Sequence, residues 1–255
     1  MKRPLSPNMN TANNSLTPHS SLVEPLTIAQ QNAAAKVLGQ AFAQDSFMAY
    51  VLPHSATRIQ QLSQIFFPLV YFSQRHGKVV ATPDGGGVLA WVAGEFFPNT
   101  ANLLDIFRSG ALGLPLSLGP AAFKRLTDHD DVCEQALLRH ASQNFAYLWA
   151  VGVCPDRAGQ GLGKKMIHAA LEQMYQQGYS TCWLRTENPK NVGLYEYLGF
   201  QQAHTEVPSA SGQQYWLMFQ HLQEALVRFP ENYDAATGFK KQSSAVFFLG
   251  DKFID

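Results

Sequence analysis

The chain has 255 residues, 46% apolar and 12% aromatic, and its nineteen Lys and Arg balance nineteen Asp and Glu. An apolar share of that size fills a folded core, which excludes wholesale disorder. A balanced charge offers no field for capturing nucleic acid or an anionic membrane, because phosphate binding needs clustered positive charge, so neither partner is expected.

Residues 1–24 are rich in Ser, Asn, Thr and Pro and read as a disordered N-terminal tail, with too few apolar groups to offset their ordering entropy. Lys2 and Arg3 precede no apolar stretch of a secretory signal. The lack of acid before Glu24 resembles a transit peptide, but the near absence of Arg argues against one. Thr27 is placed to cap a helix through Ala33, Val37, Leu38 and Phe42. A second helix is predicted from Ser55 or Ala56 to about Arg75, carrying Ile59, Leu62, Ile65, Phe66, Leu69, Val70 and Phe72, with a kink at Pro68. Ile65–Phe72 is the densest apolar run and falls far short of the roughly 18–20 residues that span a bilayer.

Two strands, Lys78–Thr82 and Gly87–Ala93, flank the turn Pro83-Asp84-Gly85-Gly86 as a hairpin. Residues 98–142 read as helical, broken at Gly110–Pro120. Phe145–Val153 is apolar without alternation, the pattern of a strand buried on both faces at the centre of a sheet. A glycine-rich turn follows. It leads into an amphipathic helix from about Gly161 to Gln177, with Leu162, Met166, Ala170 and Met174 on its apolar side and Gly178 as its stop. Thr181–Thr186 is a strand, Pro189–Leu198 a short helix, and Phe200–Val207 and Gln214–Gln220 are two further strands. Beyond them, His221–Phe229 looks helical and Ala245–Leu249 strand-like. The fold class is α/β (α+β), a mixed and mostly antiparallel sheet around one strand–turn–helix–strand unit. The three cysteines, Cys133, Cys154 and Cys182, lack both disulfide and metal-ligand spacing, which fits a reducing, cytoplasmic compartment and no metal.

The turn Cys154-Pro-Asp-Arg-Ala-Gly-Gln-Gly-Leu-Gly-Lys-Lys165 carries the chemistry. Gly159, Gly161 and Gly163 join a central strand to a helix start, where backbone N–H groups and the helix dipole suit a phosphate. Tight packing alone is the competing reading. A Walker A loop fails, with Ala158 at its first glycine and Lys165 at its hydroxyl position. A dinucleotide G-x-G-x-x-G fails too, meeting Lys164 or Met166 at its third glycine.

What fits resembles motif A of the GNAT superfamily of acyl-CoA-dependent N-acyltransferases, [QR]-x-x-G-x-[GA], in the register Ala158-Gly159-Gln160-Gly161-Leu162-Gly163. Ala158 replaces the usual Gln or Arg, and Arg157 stands one place early. A second constellation, Asn188-Pro-Lys-Asn191-Val-Gly-Leu-Tyr195-Glu-Tyr-Leu-Gly199-Phe200, is similar to the superfamily's motif B at every fixed position. Within the superfamily the chain looks most like puromycin N-acetyltransferase-like members. It shares with them a Trp strand followed by Glu (Trp91, Glu95), a helical insert, and Glu206 to Pro208 before Trp216 and Met218. The resemblance implies a GNAT domain over residues 25–220 with 98–142 as its helical insert, leaving 221–255 as an extension of unassigned role.

It also implies acetyl-CoA as cosubstrate and direct transfer of acetyl to the amine of a small-molecule acceptor by a monomer or homodimer. A protein or peptide acceptor, or a non-catalytic acyl-CoA module, are the alternatives. Cosubstrate contacts are expected from Val151, Gly152, Val153, Arg157, Ala158, Gly159, Gln160, Gly161, Leu162, Gly163, Lys164, Asn188, Asn191 and Tyr195. By motif match Tyr195 is the general acid for the departing thiolate. The central strand has no carboxylate, so Glu95 is the first choice of base and Glu187 the second. His168 falls on the polar helix face and is expected in solvent; Asp128-His129-Asp130-Asp131 reads as acids at a helix start. Cys154 reads as a small buried residue. Acceptor contacts are expected from Phe66, Phe67, Tyr71, Phe72, the insert and the terminal hairpin. No acid cluster in the sequence points to a polyamine.

Overall fold

The computed structural model describes residues 26–97, 103–228 and 247–248. The expected N-terminal tail therefore lies outside the described residues, as do positions 98–102 of the insert and most of the C-terminal extension. Helix α1 (Ile28–Ala41) starts at Thr27, whose hydroxyl accepts from the Gln30 N–H while the Gln30 side chain accepts from the Thr27 N–H, a reciprocal cap. A one-and-a-half-turn helix, α2 (Ser46–Val51), follows, with the Asp45 carboxylate accepting from Met48 N–H at 3.0 Å. Helix α3 (Ser55–His76) contains Pro68. Strands β1 (Gly77–Ala81) and β2 (Gly87–Ala93) form the hairpin, its turn held by Thr82 and Gly86 donating to the Asp84 carboxylate.

The insert supplies α4 (Leu103–Arg108), α5 (Leu114–Leu118) and the long α6 (Pro120–His140). Strand β3 (Phe145–Val153), α7 (Leu162–Gln176) and β4 (Thr181–Thr186) form the middle unit. Then come α8 (Pro189–Tyr197), β5 (Gln201–Glu206), β6 (Tyr215–His221), α9 (Leu222–Arg228) and a two-residue β7 (Phe247–Phe248). The seven strands lie in the order β5-β6-β4-β3-β2-β1-β7, antiparallel throughout except for the parallel pair β3–β4. The continuous apolar run at Phe145–Val153 thus sits in mid-sheet, as the missing alternation predicts.

Helix α7 covers one face, packing Met166, Ile167, Ala170 and Met174 on Leu89, Trp91, Leu148 and Leu184. The other face carries α1, α3 and α6. A Cβ on Gly152 would lie 2.8 Å from Ala41 Cβ and 3.0 Å from Leu38 Cδ2, so this glycine lets α1 press directly on β3. Two expectations change. His168 is buried, not solvated, and burial together with Lys164 pushes its imidazole down to about 4. Asp128–Asp131 lies in the middle of α6, not at its start. Its spacing puts His129 on the buried stripe with Leu126, Cys133 and Ala136.

Candidate active site

Two irregularities open the sheet at its centre. Trp91 pairs with Leu148 and Ala90 with Ala150, so Trp149 is an extra residue on β3, a bulge that bends the strand. Pairing between β3 and β4 stops at the same place, at Leu148 with Leu184. From Trp149 to Val153 the edge of β3 that faces β4 pairs with no described strand, and Arg185 and Thr186 diverge from it. The gap leaves β3 backbone groups in need of a partner.

The glycine turn lies at the mouth of this gap. Gly159 and Gly161 have φ of +78° and +72°, and a Cβ built on either meets nothing within 4 Å. Packing therefore does not demand these glycines; the left-handed backbone does. Gly161 caps α7 with no side-chain hydrogen bond and no acid in the first turn, which leaves the helix N–H groups for a ligand. Residues 155–161 are exposed. Arg157 turns back to Asp84 at 3.5 Å and Asp156 at 3.8 Å. The Lys164 ammonium sits 4.6 Å over the Tyr197 ring and donates to its hydroxyl at 3.2 Å, tying the start of α7 to the end of α8. This donor-rich turn, with no acid in the first turn of its helix, fits a pyrophosphate. Cys154 is half-buried, its thiol 3.3 Å from the Gln40 side-chain oxygen.

Inside the gap is a cavity of about 340 Å³, lined on one side by Trp149, Ala150 and Val151 and on the other by Arg185, Thr186, Glu187, Asn191 and Tyr195. Helices α3 to α6 close it with Phe66, Phe72, Ile106, Leu114, Leu126 and Asp130. The terminal hairpin does not line it; its loop instead places Ser211 Oγ 2.8 Å from His129 Nδ1. Phe67 and Tyr71 are not among the lining residues.

The cavity floor is charged. Arg185 binds Glu187 through Nε at 2.6 Å and Asp130 through Nη2 at 2.8 Å. His129, fully buried between Phe47 and Tyr215, reaches Glu187 with Nε2 at 3.4 Å. Burial opposes the Glu187 charge, but Arg185 and His129 outweigh it and hold the carboxyl below the ordinary range. Burial dominates at Asp130 and Asp45 and raises both. Asp45 lines the same cavity and feels the Glu187 and Arg185 charges. His129, Cys133 and Glu187 place ligand atoms within 4.8 Å of one another, but the Glu187 carboxylate already has a cation in Arg185.

Tyr195 is buried, lines the cavity, and makes no hydrogen bond through its hydroxyl to any described residue. Burial raises its phenol and keeps it protonated. Asn188 spends its side-chain oxygen capping α8 through Lys190 N–H, and Asn191 donates to Thr186 Oγ1 at 3.4 Å.

Glu95 lies elsewhere. It is exposed after β2, where Ala93 pairs with Ala146, and its charge reaches Tyr179. That position is about 16 Å along β3 from Val151 at 3.3 Å per residue. Of the two acids expected as base, Glu187 is the one that lines the cavity. Asp45 and Arg185 do not stand out in the sequence, and His129 and Asp130 belong to the run that reads there as acids at a helix start. The signals available are the Asp-Ser start of α2 and the buried spacing on α6. In the folded chain three acids distant in sequence, Asp45, Asp130 and Glu187, line this one cavity.

The sequence profile of the Acetyltransferase (GNAT) family matches residues 50–200. The chain belongs to this family. GNAT members use acetyl-CoA as the acetyl donor. Over 60 residues the chain is 37% identical to the [ribosomal protein bS18]-alanine N-acetyltransferase of Escherichia coli K12, covering 23% of this chain and 40% of that protein. It is 37% identical over 76 residues to the mycothiol acetyltransferase of Saccharomonospora viridis, covering 29% and 25%. It therefore spans well under two thirds of either relative. Among solved structures, a spermidine N-acetyltransferase chimera from Vibrio cholerae and hSSAT superposes with a TM-score of 0.30 at 24% identity, over 32% of this chain and 54% of that one. A structure described only as an acetyltransferase covers 79% of this GNAT chain and all of its own, with a TM-score of 0.43 and 17% identity.

Proposed function

We propose that the protein is an N-acetyltransferase that moves an acetyl group from acetyl-CoA to the amine of a small molecule by direct attack on the thioester. The observation that carries this reading is the gap between β3 and β4, which opens beside the glycine turn and is lined by both Glu187 and Tyr195. A cavity of about 340 Å³ lies in the range of small-ligand sites, about 300–1,000 Å³, which favours a small acceptor over a protein one.

Acetyl-CoA supplies an activated acetyl group as a thioester. Backbone N–H groups from Gly159 to Lys164 hold its pyrophosphate, and the β3 edge at Val151 to Val153 holds its pantetheine as an added strand would be held. Gly152 contributes through its backbone only, its missing side chain being used by α1. Asn188 and Asn191 shape the start of α8 around Thr186 and so position Tyr195. Glu187 takes one proton from the incoming ammonium. The amine nitrogen then bonds the acetyl carbon as the carbon–sulfur bond breaks. Tyr195 gives its proton to the departing sulfur, and the second amine proton restores the phenol. Residues 25–220 form the catalytic domain in this reading, with 98–142 as its insert, whose helices α4 to α6 roof the acceptor. The protein works as a monomer or homodimer in the cytoplasm without nucleic acid, membrane or metal. Among the described residues no helix is long and apolar enough to cross a membrane.

Tyr195→Phe tests the assignment. Its turnover is expected to fall about 10- to 100-fold, a modest loss because a thiolate leaves without full protonation. Acetyl-CoA affinity, measured by calorimetry, should stay within about twofold. Unchanged turnover would remove Tyr195 from the chemistry.

A further inference from the structure

The cavity is divided chemically in a way that selects its acceptor. Its acids are Asp45 at the cap of α2, Asp130 on α6 and Glu187 just past β4; Arg185 pairs with Asp130 and Glu187, and its charge also reaches Asp45. Every other wall is apolar or aromatic, with Phe42, Phe66, Phe72 and Trp149 foremost, apart from a few small hydroxyl and amide groups and Tyr195. Three carboxyl groups thus meet one guanidinium, and among the described residues no other charged side chain lines the cavity. The Tyr195 hydroxyl, buried and without a hydrogen bond to any described residue, opens on the same space.

Building on the N-acetyltransferase reading, we propose that the acceptor is a primary monoamine with a compact aromatic or aliphatic body, its ammonium held by Asp45, Asp130 and Glu187 and its body lying against Phe42, Phe66, Phe72 and Trp149. One ammonium offsets charge where the acids gather. A polyamine's second ammonium would rest on aromatic carbon with no acid to meet it, at a large desolvation cost. A carboxylate on the acceptor would face the same three acids and be repelled. Asp45 is then a specificity residue. It grips the ammonium without taking the proton, which passes to Glu187 before the freed amine bonds the acetyl carbon and the carbon–sulfur bond breaks.

The test uses the full chain, acetyl-CoA and four acceptors, following thiol release. They are 2-phenylethylamine, spermidine, phenylalanine and a peptide with N-terminal Ala. 2-Phenylethylamine should show the highest kcat/KM, by about tenfold or more, the factor that a single hydrogen bond to a charged group supplies. Asp45→Asn keeps the α2 cap, since Asn caps as well as Asp. It should raise KM for 2-phenylethylamine about tenfold, with acetyl-CoA affinity unchanged. Preference for spermidine, phenylalanine or the peptide overturns the proposal but leaves an acetyltransferase in place. An unchanged KM in Asp45→Asn overturns the ammonium site. No transfer to any of the four overturns the transferase reading as well.

Discussion

Glu187→Gln is expected to lower kcat about 10²- to 10⁴-fold at neutral pH, the usual contribution of a placed general base. The carboxylate sits between Arg185 at 2.6 Å and His129 at 3.4 Å, and these partners hold it ionised. Gln keeps the shape and the contact to Arg185 but takes no proton. The variant must then wait for the acceptor to arrive as free amine. An alkylamine has a pKa near 10, so this fraction rises about tenfold per pH unit below that value. The variant should therefore recover as pH rises from 7 to 9, with a steeper profile than the parent. The parent loses activity at the acid end only when Glu187 is protonated, at a pH below the ordinary carboxylate range. A pH–rate profile of both proteins checks this. Equal slopes with equal rates would mean that another group is the base.

The second large effect is on stability. Arg185→Met should destabilise the fold by about 3–5 kcal/mol, the cost of leaving buried charges without their partner. Arg185 is the cation that Asp130 and Glu187 share. Its loss brings two carboxylates together in a half-buried site beside Asp45. Folding would then favour their protonated forms, so the loss should grow as pH rises from 5 to 8. Urea unfolding at both pH values measures it. Adding Asp130→Asn to Arg185→Met should recover part of the loss. A cost under about 1 kcal/mol would place the cluster among exposed ion pairs, which contribute little.

The elements legible in the sequence are those with strong local signals. Thr27 and Gln30 announce the α1 cap, the unalternating run Phe145–Val153 marks the central strand, and the alternate glycines mark the left-handed turn before α7. Motif spacing picks out Tyr195 and Asn191, and both line the cavity. The charged floor is not legible, for a physical reason. Its members come from α2, α6 and β4, up to 142 positions apart between Asp45 and Glu187, and each has an ordinary local explanation. Asp45 looks like a helix cap, which it also is. His129 and Asp130 sit in a run that reads as acids at a helix start. Arg185 is a lone cation at a strand end. Only the packing of α6 across the sheet brings them together. His168 defies its spacing for a related reason. Its neighbours Lys164, Lys165 and Glu172 define a polar face, but the sheet and α9 bury α7 more broadly than one stripe. Glu95 is favoured by its place after the Trp91 strand, where the hairpin register in fact carries it to the far end of β3.

Binding at the glycine turn is tested most directly by thermal shift with acetyl-CoA, ATP and NAD in parallel. Acetyl-CoA at about 100 times its Kd should stabilise the protein by about 2.7 kcal/mol, while ATP and NAD give little at the same concentration. A shift with ATP or NAD and none with acetyl-CoA would contradict an acyl-CoA site between β3 and β4.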